Sequence, residues 1–271
     1  MTWARSADDY AFFDNAGRPL AMAHRGGAHT GQSGGIENSM AAFGAAVALG
    51  FRYVETDVHA TADGRVIAFH DTTLDRVTDL TGAVAHVPYD RVRRALIGGR
   101  EPIPLLSDIL ASWPDLKVNI DCKAALAIDP LARLIAQHHA WDRVCVASFS
   151  PWRLSRLRAR LGPRVATSYT LPGVAALRLL PTYRLRWATI GDGLVAQVPS
   201  QVGAFPIVTR GFVERAHALR KQVHVWTVDD PVEMSRLLDL GVDGIITDRA
   251  DVLREVYDAR GIWPGGVDEP G

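Results

Sequence analysis

Short apolar runs that each end on a charged or polar side chain recur along the chain, most of them a helix-length apart, and this alternation limits the fold more than any other feature. The run at 20–23 leads into His24, 52–54 into Glu55, and 66–69 into His70. Later strand patterns cover 117–123, 143–147, 165–169, 194–198, 223–228 and 244–248. Helical patterns fall between them, at 105–113, 130–139, 151–161, 174–180, 211–221 and 232–240. The first helix is capped by Asn38 or Ser39, shows Met40, Phe43, Val47 and Leu49 on one face, and closes at Gly50. Strand followed by helix, repeated, builds a parallel sheet with helices outside, and this many units closes into a barrel.

The patterns give nine strands where a (β/α)8 barrel has eight places. Too few residues separate Asp57 from Val66 for a crossover helix, and Asp63-Gly64 is a turn signal, so the strand ending at His70 is expected to form an antiparallel hairpin with the strand bearing Glu55. The expected fold is α/β, a TIM-type (β/α)8 barrel distorted near its second and third strands. Residues 72–104, with one short helix near 89–96, read as a rim insertion or lid. One domain over 1–258 with its core at about 20–257 is expected, and a glycine- and proline-rich tail at 259–271 without order.

Thirty basic residues balance thirty acidic ones, so the net charge suggests neither nucleic acid nor an anionic membrane as a partner. Cys122 and Cys145 fall in apolar strands and read as small buried hydrophobes. The first ten residues are too polar for a secretory signal and no apolar run reaches membrane-spanning length, which leads to the expectation of a cytoplasmic protein without stable membrane insertion.

Glu55 and Asp57 are two apart on a strand and point the same way, so they can share a hard cation, with Asp121 as a third oxygen donor. The alternative is ion pairing with Arg25, Arg52 or Lys123. His24 and His70 suit acid and base work near neutral pH, or packing as core histidines. Arg25 and Lys123 suit an anion or surface pairing. Trp226 suits an apolar wall over a substrate or the core, and Glu37 suits the site or the first turn of its helix. The glycines at 26–35 lack the G-x-G-x-x-G order of a dinucleotide site.

Taken in order, His24-Arg25-Gly26, Glu37-Asn38-Ser39, Glu55-x-Asp57, Thr61-x-Asp63-Gly64, His70-Asp71, Asp121-x-Lys123, Ser148-Phe149, Trp226-Thr227-Val228 and the 241–248 stretch resemble the glycerophosphodiester phosphodiesterase family. The resemblance runs over about 21–253 and implies a TIM-type barrel that hydrolyses a glycerophosphodiester to glycerol 3-phosphate and an alcohol. It implies Mg²⁺ or Ca²⁺ on Glu55, Asp57 and Asp121, where the family more often has glutamate at the last position. It implies His24 and His70 as the acid–base pair, Arg25 and Lys123 on the phosphate, Phe149 and Trp226 against the substrate, and Glu37 supporting the metal or His24. It also implies attack by the substrate's own glycerol hydroxyl, giving a cyclic phosphate that water opens. Two rivals are a lysophospholipase D, with a groove formed by residues 177–180 and Trp187, and a silent ligand-binding barrel.

Overall fold

Alternation along the strands decides which side chains face the barrel axis. The computed structural model describes residues 5–30, 36–180 and 193–263. Its main strands are β1 (Leu20–His24), β2 (Tyr53–Ala60), β3 (Val66–Ala68), β4 (Lys117–Cys122), β5 (Val144–Ala147), β6 (Ala166–Thr167), β7 (Val195–Val198), β8 (Gln222–Val225) and β9 (Gly244–Thr247). Ala21, Val54, Val118, Val144, Val223 and Ile245 face outward into the layer under the helices. Leu20, Met22, Tyr53, Cys145, Val195 and Ile246 alternate with them and fill the axis.

The sheet runs β6-β5-β4-β2-β1-β9-β8-β7, all parallel. Ser168 bridges Val195, Tyr169 N–H donates to Val195 O at 2.8 Å and Leu194 N–H to Thr167 O at 2.9 Å, which brings the two ends of the sheet together. The strand expected at 165–169 is regular over Ala166–Thr167 alone. Beyond it Gly193 lies so close to the Tyr169 ring that a Cβ there would sit 1.9 Å from it. β3 pairs antiparallel with β2 in the register Val58 to Ala68, as the short Asp-Gly connection requires.

Helices α1 (Met40–Ala48), α2 (Leu106–Ser112), α3 (Ile128–Gln137), α4 (Pro151–Leu161), α5 (Leu171–Leu179), α6 (Arg210–His217), α7 (Pro231–Asp239) and α8 (Ala250–Ala259) cover the outside. Ser39, one of the two expected caps, accepts from Ala42 N at 3.1 Å. The rim insertion holds a 3-10 turn, Val84–His86, and one α-helical turn, Tyr89–Val92, and packs around its own small core of Leu74, Val84, Val92, Ile97 and Ile103. Both cysteines are buried.

Two short 3-10 turns, Ala7–Asp9 and Ala11–Phe13, seal the amino-terminal floor of the barrel. Phe12 meets Tyr53 edge-on at 5.5 Å, and Lys117 Nζ donates to Ala11 O, to Asp14 O at 2.8 Å and to the Tyr53 hydroxyl at 3.0 Å. The tail expected to be without order from 259 is packed as far as Trp263, which is buried against Phe51 with ring centroids 5.0 Å apart. Burial of an indole outweighs the local glycine and proline content. The rest of that tail, Trp187 and the loop at 31–35 lie outside the described residues. No helix among the described residues is long and apolar enough to cross a membrane.

Candidate active site

The carboxyl ends of β1, β2 and β4 stand side by side, so residues distant in sequence become neighbours. His24 is in register with Glu55, Glu55 with Asn119, and Asp57 with Asp121. Glu55 and Asp57 share the inward parity of Tyr53, which places them above the floor. They line a cavity of about 490 Å³ together with His24, Arg25, His70, Asp121 and Lys123. That volume holds a small organic ligand.

Each histidine is held through Nδ1. His24 Nδ1 lies 2.8 Å from Asp248 Oδ1, and His70 Nδ1 lies 2.6 Å from Asp71 Oδ1. An ionised carboxylate only accepts, so Nδ1 carries the proton on both rings and Nε2 is the atom left for chemistry. Burial opposes protonation of His24, but Glu55, with Oε2 3.7 Å from Nε2, and Asp248 outweigh it and raise its pKa above the usual value. Asp71 is pulled below the ordinary carboxylate range, since hydrogen bonds from Arg76 and His70 outweigh its burial. Neither orienting carboxylate was given a role from sequence, although Asp248 ends the last strand as His24 ends the first. Barrel closure makes those two strands neighbours.

The acids are in excess of their partners. Burial, then the charge of Asp57, pushes the Glu55 carboxyl up to about 7. Asp57 goes the other way, because Lys123 and Arg25 outweigh its burial. Lys123 Nζ stands between Asp57 Oδ1 at 2.8 Å and Asp121 Oδ2 at 2.7 Å, while Asp121 Oδ1 is buried with no hydrogen-bond partner. Arg25 Nε lies 3.0 Å from Asp57 Oδ2 without hydrogen-bond alignment, and its backbone N–H donates to Glu55 Oε2 at 3.2 Å. Arg25 sits at φ 49, a left-handed conformation costly for arginine and typical of functional sites. Glu37, expected to support the metal or His24, braces Arg25 at 3.2 Å and Arg76 at 2.6 Å instead. Arg76 also bonds Asp71, and nothing periodic in the rim insertion signalled it.

Asn38, at φ 55, donates to Asp57 Oδ2 at 3.3 Å and accepts from Thr56 at 2.7 Å. A second acidic group, His29, Asp229 and Asp248, brings one ligand atom each within 4.8 Å of one another, which Glu55, Asp57 and Asp121 do not. One oxygen of each of its carboxylates is already engaged: Asp248 Oδ1 by His24, and Asp229 Oδ1 by Thr247 and the Asp248 N–H.

The opposite wall is apolar. Phe149 meets Trp226 edge-on at 5.7 Å, and Lys123 Nζ stands 5.5 Å from the Phe149 ring centre. Leu171, Val174, Val198 and Ile207 continue it. The groove expected at 177–180 is not this wall, because Leu177 is buried in the core beneath the helices.

Residues 24–252 match the glycerophosphoryl diester phosphodiesterase family model. The chain belongs to the glycerophosphoryl diester phosphodiesterase family. The expected family and enzyme class both hold. A probable glycerophosphodiester phosphodiesterase 2 of Mycobacterium tuberculosis is 45% identical over 94% of this chain and 96% of its own. A lysophospholipase D of Rattus norvegicus is 25% identical over 86% of this chain and 84% of its own. A solved Oleispira antarctica phosphodiesterase, in complex with the product sn-glycerol-3-phosphate, shares the fold with a TM-score of 0.74 at 23% identity, covering 89% of this chain and 97% of that one.

Proposed function

We propose that this family member hydrolyses glycerophosphodiesters to sn-glycerol 3-phosphate and an alcohol, with His24 and His70 as the acid–base pair. The observation that carries the reading is that both imidazoles are fixed through Nδ1 by aspartates and line one cavity with three carboxylates, an arginine and a lysine. The Oleispira antarctica enzyme, which holds sn-glycerol-3-phosphate, gives the substrate class independent support.

The donor set suits a hard divalent cation, Mg²⁺ or Ca²⁺: it is all oxygen, Asp121 Oδ1 is buried without a partner, and burial and the charge of Asp57 push the Glu55 carboxyl up to about 7. Glu55, Asp57 and Asp121 would hold such an ion, which offsets charge on the phosphoryl oxygens when bound. Lys123 and Arg25 supply cations on the same side of the cavity, a point charge and a planar fork for phosphate oxygens. One histidine takes the proton of the attacking hydroxyl at Nε2, and the other gives its Nε2 proton to the departing alcohol oxygen. Their roles exchange when water opens the cyclic phosphate. Phe149 and Trp226 shield the reacting face from water.

The apolar wall, together with the likeness to a lysophospholipase D, favours a second reading in which the substrate is a lysophospholipid. Assaying purified protein with glycerophosphocholine and with lysophosphatidylcholine, each with and without EDTA, tests both. Release of sn-glycerol 3-phosphate that stops on chelation supports the first. Release of choline from the lysolipid alone replaces it with the second, and no turnover of either overturns both.

A further inference from the structure

The net charge of zero conceals a strongly one-sided sector. Between Asp142 and Asp192 the chain has no acidic residue and nine arginines, at 143, 153, 156, 158, 160, 164, 178, 184 and 186. Of those described, Arg160 and Arg164 pair with carboxylates, Asp129 and Asp142. Arg143 and Arg153 instead bond backbone carbonyls, at Leu110 and Cys122 among others, which satisfies the donors without neutralising the charge. Arg156 forms no ion pair among the described residues and lies 5.6 Å from the Trp152 ring centre.

Of the eight large apolar side chains that the described residues leave exposed, six lie within this stretch or shortly after it, at 149–205. Phe149, Trp152, Leu171, Val202 and Phe205 are each between 52% and 71% exposed. All five stand just past the carboxyl ends of β5, β6 and β7 or in the first turn of the following helix, on the side of the barrel where the cavity opens. Phe149, Leu171 and Val202 are also part of the cavity wall, so the exposed rim and the apolar wall form one surface. Each exposed aromatic has a cation at its face: Lys123 at Phe149, Arg156 at Trp152, and Arg178 5.1 Å from the Phe205 centre. Aromatic rings paired with guanidinium groups suit the headgroup layer of a lipid surface, where the ring enters the apolar edge and the charge meets phosphate.

We infer that this rim docks the barrel, mouth first, on an anionic lipid surface. Apolar side chains supply the insertion, and Arg156 and Arg178 beside them select anionic headgroups. The inference does not require the proposed hydrolysis, and the two are tested separately.

The test is co-sedimentation of the full chain with vesicles of dioleoylphosphatidylglycerol or of dioleoylphosphatidylcholine, across a salt series. The expected result is retention on phosphatidylglycerol that weakens as salt rises, with little on phosphatidylcholine. A Trp152→Ala, Phe205→Ala double variant should lose at least about tenfold in partitioning. Arg156→Glu should weaken binding to phosphatidylglycerol alone. None of these residues lines the cavity, so turnover of soluble glycerophosphocholine should stay at the parent rate, and thermal melts check that the variants fold. Failure of the parent to bind phosphatidylglycerol overturns the inference, as does binding that the variants leave unchanged. A parent dimer in sedimentation velocity that the double variant dissociates overturns it too, because a second copy then covers the rim. Vesicle binding without any turnover leaves the docking surface standing and removes the proposed hydrolysis.

Discussion

Lys117 and Asp121 stand at opposite ends of β4 with the same inward parity, yet their surroundings differ in kind. At the floor the Lys117 ammonium meets neutral oxygens of Ala11, Asp14 and Tyr53, and its pKa falls chiefly through burial. His224, in the same layer, is pushed down to about 3 by burial and stays neutral, with Nε2 on Gln222 Oε1 and Nδ1 without a partner. At the mouth an oxygen of Asp121 has no hydrogen-bond partner, and burial, then the charge of Asp57, pushes the Glu55 carboxyl up to about 7. One end holds a single ammonium among neutral oxygens and the other gathers three carboxylates, at the face where a barrel of this kind carries its chemistry. The contrast shows that crowding of like charges, more than burial or an unpaired polar atom, separates site from scaffold.

The strongest way to break this contrast is at the proposed acid–base pair. His24→Ala or His70→Ala should lower turnover by about 10²–10⁴-fold while melting near the parent temperature. Early melting with full activity per folded molecule would make them scaffold residues instead. Next in size, Asp57→Asn should weaken Mg²⁺ or Ca²⁺ binding in a calorimetric titration by roughly tenfold or more. Unchanged affinity removes Asp57 from the ligand set. At the floor, Lys117→Met leaves the oxygens around it without their shared donor and should cost about 1–3 kcal/mol in denaturant unfolding, with turnover of the folded protein unaltered.

The smallest effect concerns pH. Because the folded Glu55 carboxyl holds its proton up to about 7, the metal-free fold gains from protonation, fully so below the ordinary glutamate range, and loses that gain as pH rises through about 7. His24, also raised, acts in the same sense. Metal-free protein should therefore lose stability between about pH 5 and about pH 7.5. Saturating Ca²⁺ or the substitution Glu55→Gln should flatten that slope, and an unchanged slope in Glu55→Gln assigns it elsewhere.

What could be read in the sequence was local. The polar ends of strands are legible because a period of two fixes which side chain turns inward, and the β2–β3 hairpin is legible because its connection is too short for anything else. The partners of the histidines were harder. Asp248 reaches His24 only because the barrel closes, and Arg76 reaches both Asp71 and Glu37 from an insertion with no repeating pattern. The shortened β6 strand reflects Gly193 pressed on Tyr169, and the ordered Trp263 reflects an aromatic contact with a residue more than two hundred positions away. A charge count taken over the whole chain averaged away the acid-free stretch between Asp142 and Asp192.

The sealed floor has a consequence for traffic. With Phe12, Phe13 and Lys117 blocking the amino-terminal end, the barrel is a dead-end pocket, and a diester arriving at the mouth must give up both of its products through the same doorway. Any product formed inside has to leave past the cavity wall of Phe149 and Trp226, so the pace of the cycle can be set by egress as readily as by bond cleavage.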